Sequence, residues 1–167
     1  MSLDFSTGYL PQTPEEVPAF LLEYTQRIEE KFEDLHEQGR WIPELRDDSG
    51  NVATHTVQDG RFTRVSNMVC IEGRLTTSDV SGLSGVIRIV NLPFISDSAK
   101  PNGSLYGAIG NGFALTNGES VGGAIILNAT HLTLFVWKAS TGTVQMTAAD
   151  WTDDGDFLFA GSYHRGN

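Results

Sequence analysis

The chain has 167 residues and 18.2 kDa, 19% of them charged and 40% hydrophobic, enough for one domain plus a short extra segment with a core that needs no disulfide or metal. Eleven Lys and Arg stand against 21 Asp and Glu, and the resulting charge of −10 repels polyphosphate, which disfavours nucleic acid and anionic membranes as partners. A single cysteine excludes an internal disulfide and a cysteine-based zinc site, and the lack of about 18 consecutive apolar residues or a basic-then-apolar start implies a soluble chain made in a cytoplasm, with no membrane insertion.

Charge and glycine divide the chain. Residues 1–40 hold nine of the 21 acids and three of the 11 Lys and Arg, but only Gly8 and Gly39 of the 18 glycines. The expected organisation is therefore an arm and helix over residues 1–40 and a separate head over 41–167. Residues 1–14, with Gly8, Pro11 and Pro14, read as an extended arm. Thr13, Pro14 and the acids Glu15 and Glu16 form a helix start, and the helix is expected to run to about Gln38 with Gly39 as a left-handed cap.

Val17, Leu21, Tyr24, Ile28 and Leu35 fall at heptad spacing on that helix, with Lys31 at the interrupted position. No second long helix follows. The seam must pack on the chain's own β domain or on copies of itself; self-association is the expectation, as a short trimeric coiled coil and hence a homotrimer.

From residue 41 short strands alternate with turn residues about every ten positions. Trp41–Leu45 leads to a turn at Asp47–Asn51, then Val52–Val57. Arg61–Val65 and Met68–Leu75 flank Ser66-Asn67 as a hairpin. Further strands are expected at 86–90, 105–109, 113–115, 121–127, 131–137, 143–146 and 157–160, with a helical turn near Thr147–Trp151. The series predicts a mainly β head, a single antiparallel sandwich of jelly-roll type.

Several pieces of residues 41–167 carry a resemblance: Trp41-Ile42-Pro43; the run Gly60-Arg61-Phe62-Thr63-Arg64-Val65-Ser66-Asn67-Met68-Val69; Gly73-Arg74-Leu75; Ile89-Val90-Asn91-Leu92-Pro93-Phe94; and Phe159-Ala160-Gly161-Ser162-Tyr163. Together they resemble the C-terminal domains of bacteriophage tail fibres and related virion appendage proteins. The resemblance implies a trimeric head that decorates a virion and touches the host surface. The same residues also have structural readings: Gly60 and Asn67 suit tight turns, and Pro93 ends a ladder because it has no N–H to donate.

Signals for chemistry are sparse. His36, His55, His131 and His164 have no metal-ligand spacing, and no nucleophile elbow, phosphate loop or dinucleotide fingerprint occurs, so neither a metal nor a cofactor is implied. Asp150, Asp153, Asp154 and Asp156 around Gly155 depart from the EF-hand pattern and read as a solvated loop, as do Asp47 and Asp48. Cys70, inside an apolar strand, reads as core packing. No catalytic residue is expected.

Binding is the alternative route to function. Sugar rings present C–H faces that pack on aromatic side chains while amides and carboxylates take their hydroxyls. Candidate glycan-binding residues are Asn102, Tyr106, Trp137 and Trp151, with Asn117 and Asn128 in loops; Trp137, at the end of the apolar run Leu132–Val136, reads first as core. The expected protein is a noncatalytic virion component, tail fibre or head spike, plugged into a phage or phage-like particle through residues 1–40 and binding a host surface polysaccharide through its head. The alternative is a polysaccharide-degrading enzyme of the same appendage, which needs paired carboxylates at a set separation.

Overall fold

In a computed structural model of the chain, residues 16–99, 103–138 and 141–166 are described. Two compact units divide between Glu37 and Gln38. The first contains helix α1 (Glu16–Leu35). Thr13 and Pro14, expected at its start, lie outside the described residues. Gly39, expected as its cap, is instead a strand residue: a Cβ there would stand 2.7 Å from the Phe62 ring, so this glycine serves close packing.

Among the described residues ten strands follow: β1 (His36–Trp41), β2 (Glu44–Asp47), β3 (Thr54–Val65), β4 (Met68–Asp79), β5 (Ile87–Val90), β6 (Gly103–Phe113), β7 (Ser120–Ile125), β8 (His131–Lys138), β9 (Gly142–Gln145) and β10 (Trp151–His164). They form one sheet in the order β1-β3-β4-β10-β6-β7-β8-β5-β2, with β9 added beside β8. β1 and β2 stand at opposite ends of that order, yet only Ile42 and Pro43 separate them in sequence. The sheet must therefore curl until its edges approach. In place of the expected division into two sheets, hydrogen bonding runs unbroken, because the 14-residue β10 pairs with both β4 and β6.

Side chains close the seam between the edges. The Leu45 N–H donates to His55 Nε2 at 3.0 Å, and Gln58 Nε2 donates to the Pro43 carbonyl at 2.9 Å. A ring nitrogen that accepts must be unprotonated, so His55 is neutral with its proton on Nδ1. Burial pushes its pKa down, against the opposing pull of Glu44.

Strict alternation along β4 puts Val69, Ile71, Gly73, Leu75 and Thr77 inward and Met68, Cys70, Glu72 and Arg74 outward. The core inside the curl is aromatic and aliphatic: Trp41, Trp151, Phe157 and Phe159 with Leu45, Leu75, Ile87, Ile89, Leu132 and Leu134. Glycine makes room for the rings. A Cβ on Gly73 would meet the Phe159 ring at 2.6 Å, and one on Gly60, Gly107 or Gly155 would collide with Trp41, Phe157 or Trp151. Gly60, expected in a turn, is thus a mid-strand residue of β3 over which the Trp41 indole lies. The hairpin at Ser66-Asn67 forms as expected, but the left-handed residue is Ser66 (φ 57°), not Asn67.

Asp47 is no solvated turn residue. It is fully buried, and its carboxylate accepts from Asn51 N and Nδ2, both at 2.8 Å, and from Ser84 N at 3.0 Å. The Asn51 side-chain amide first, then the backbone N–H groups of Ser84, Asn51 and Ser49, hold its pKa down to about 2 against burial. A buried anion is tolerated here because donors from two loops surround it.

Candidate functional site

The outward residues of successive strands meet in cross-strand rows, and one row crosses seven strands. Arg61 pairs with Glu72, Glu72 with Ala160, Ala160 with Tyr106, Tyr106 with Gly122, Gly122 with Phe135 and Phe135 with Gln145. Tyr106 stands in the middle of this row with 71% of its surface exposed. Trp137 is 57% exposed on the same face and leans over Gly122, where a Cβ would lie 3.2 Å from its indole nitrogen. Large rings beside small neighbours leave hollows. A cavity of about 390 Å³ opens on the β4 side of Tyr106 against Arg61, Thr63, Cys70, Glu72, Ala160 and Ser162. A second, of about 370 Å³, lies between Ser104, Gly122, Ala124, Phe135, Trp137 and Thr143.

Charges around the first cavity are mostly committed. Arg74 grips Asp156 with two hydrogen bonds at 3.0 and 2.8 Å, and Thr76 Oγ1 adds a third at 2.9 Å. The guanidinium holds the Asp156 pKa below the usual carboxylate range, and the carboxylate raises that of Arg74. Arg40 donates to Asp59 at 2.7 Å and lowers its pKa likewise. Glu72 and Arg61 differ: among the described residues neither makes a side-chain hydrogen bond or ion pair, and both line the cavity.

The residues singled out in the sequence separate cleanly. Tyr106 and Trp137 share the outer face, whereas Trp151 is 3% exposed, edge-on to Phe113 and Phe157, and donates from Nε1 to Thr77 Oγ1 at 2.9 Å. A ring so enclosed offers no face to a ligand, and Trp151 is a core residue. Asn102 lies outside the described residues. Of the helix seam, Leu21, Tyr24, Ile28 and Leu35 are exposed; the Val17 side chain lies outside the described set.

Asp150, Asp153, Asp154 and Asp156 do not converge on a cation. Asp150 accepts from Thr147 N and Oγ1, Asp153 from the Val80 N–H, Asp154 from Thr152 Oγ1, and Asp156 from Arg74. Among the described residues no cluster of metal-ligating side chains occurs.

Cys70, read as core, is exposed and lines the first cavity, because Val69 and Ile71 take the inward positions on either side of it. The sequence alone does not single out Arg61 or Glu72, and it puts Cys70 in the core. The period-two pattern of 68–75 was the signal for the last two, since it assigns even-numbered residues to the wet face.

No family model and no curated protein sequence matches the chain. The fold is similar to that of part of a solved structure, the Dettilon tailspike protein (gp208). The TM-score is 0.68 at 17% sequence identity, over 77% of this chain and 24% of that one. The chain thus shares the fold of a segment of that tailspike and spans about a quarter of its length.

Proposed function

We propose that the chain is a noncatalytic component of a virion appendage, trimeric through the heptad seam of α1, whose head binds a host surface glycan on the outer face around Tyr106 and Trp137. The observation that carries this reading is the pairing of two exposed aromatic rings with two hollows on one sheet face. Aromatic platforms beside small polar residues suit the C–H faces and hydroxyls of sugars. The tailspike-like fold supports a place on a virion, and the exposed Leu21, Tyr24, Ile28 and Leu35 support self-association, since an apolar stripe of this kind is stabilised by burial against like stripes. The particle would hold the chain through residues 1–40, leaving the head outward.

Binding without cleavage is supported by the state of the outer-face acids. Glycoside cleavage needs two carboxylates at a set separation, and among the described residues Glu72 is the one carboxylate that lines the first cavity, while Asp59 and Asp156 further along the face are each engaged by arginine. The test is adsorption of the purified chain to host cells or their extracted polysaccharide. Tyr106→Ala and Trp137→Ala should each weaken it by about tenfold, the worth of one stacked aromatic, with sedimentation unchanged. Release of reducing ends from the polysaccharide by the chain alone would instead establish the degrading enzyme.

A further inference from the structure

From the geometry of the first cavity we infer that it is a subsite for a neutral pyranose, held by its ring face on Tyr106 and by adjacent hydroxyls on Glu72 and Arg61. The inference rests on the glycan-binding reading and adds the class of sugar and the place it sits. Glu72, Ala160 and Tyr106 are successive partners in one cross-strand row. With strands about 4.8 Å apart, the Cα atoms of Glu72 and Tyr106 stand roughly 10 Å from each other. Ala160 between them rises no higher than a methyl group, so the two longer side chains frame a saddle one sugar ring wide.

The chemistry of the rim selects the occupant. A carboxylate accepts from two neighbouring hydroxyls at once and a guanidinium donates in a planar fork, so Glu72 and Arg61 together match the alternating donors and acceptors of vicinal hydroxyls. Arg61 acts on Asp59 through its charge and stands directly across from Glu72, so both groups stay on the cavity rim. Their charges cancel, and the neighbouring Asp59 and Asp156 are neutralised by Arg40 and Arg74. A uronic or sialic acid would meet the Glu72 carboxylate in the same hollow without a surplus of positive charge to offset it, in a chain of net charge −10. A neutral ring meets no such penalty.

Cys70, the sole cysteine, lines the same cavity and is exposed, which makes its alkylation a reporter of occupancy. The full chain is to be treated with iodoacetamide alone and with millimolar glucose, galactose, mannose, rhamnose or N-acetylglucosamine, and with glucuronate, galacturonate or N-acetylneuraminate. At least one neutral sugar should slow Cys70 alkylation severalfold while the acidic sugars leave it unchanged. Glu72→Gln should weaken that protection about tenfold, the worth of a charge-assisted hydrogen bond, measured against the variant's own alkylation rate without sugar. Protection by acidic sugars that strengthens in Glu72→Gln would overturn the assignment of sugar class. Adsorption to host polysaccharide with no protection of Cys70 by any sugar would overturn the subsite and leave the glycan-binding reading standing. Loss of both adsorption and protection would overturn the two together.

Discussion

Phe159 and Gly73 are direct cross-strand partners, and the ring of one occupies the space a side chain on the other would need. Gly73→Ala places a methyl 2.6 Å from Phe159 Cζ and 3.0 Å from Cε2, so the ring must shift within a core it shares with Trp41 and Phe157. Overpacking of this kind costs about 1–3 kcal/mol. Phe159→Ala empties a site that is 1% exposed and should cost about 3–5 kcal/mol. In the Phe159→Ala background the clash has gone, and alanine in a strand interior is better than glycine by about 0.5–1 kcal/mol. The same Gly73→Ala change should therefore reverse sign, with a favourable coupling of about 1.5–4 kcal/mol in the double mutant. Urea unfolding at constant m-value reads this as a midpoint that rises from Phe159→Ala to the double mutant although it falls from wild type to Gly73→Ala. If Phe159→Ala does not fold, Phe159→Leu gives the same sign with a smaller coupling. Additivity within about 0.5 kcal/mol would refute the claim that this glycine is there for the ring.

Replacing Leu21 and Ile28 with Asp puts unpaired charge into the proposed seam, and sedimentation should show loss of the trimer while the β signal in circular dichroism persists. A variant that still sediments at three times the chain mass would sink the seam assignment. His55 and His131 both have pKa values pushed below 6.5, chiefly by burial, with Glu44 opposing the shift at His55 and Arg88 adding to it at His131. The unfolded chain binds these protons first, so their contribution to stability is fully present above about pH 6.5 and is lost as pH falls through the folded values. The urea midpoint should drop between pH 7.5 and 5, and less so in His55→Gln, whose amide keeps an acceptor that does not titrate. Asp47→Asn should lower the midpoint at neutral pH, because one carboxylate oxygen that accepts from Asn51 and Ser84 becomes a donor facing donors; an unchanged midpoint would show the loop does not depend on the charge.

Much of the head was legible because strand periodicity is a local signal. The alternation of 68–75 marks β4 and its faces, and the Ser66-Asn67 punctuation marks the hairpin. What stayed hidden depends on partners distant in sequence. Gly60 reads as a turn until Trp41 is known to lie across it, and Asp47 reads as a wet loop residue until Ser84, 37 positions on, is seen donating to it. Trp137 and Trp151 show the same limit most sharply. Each adjoins a stretch of strand, and only the pairing of strands puts the first over Gly122 in solvent and the second beneath Gly155 against Phe113 and Phe157. The candidate site follows from this: its row of Arg61, Glu72, Ala160 and Tyr106 gathers single residues from four strands spread over a hundred positions, which no local motif encodes. Register supplies the neighbours, and an error of one residue in any of those pairings would turn the corresponding side chain into the core. The bulge that interrupts β6 against β10 between Leu158 and Phe159 sits one step from the Ala160–Tyr106 pair, so it takes part in setting which face Tyr106 presents.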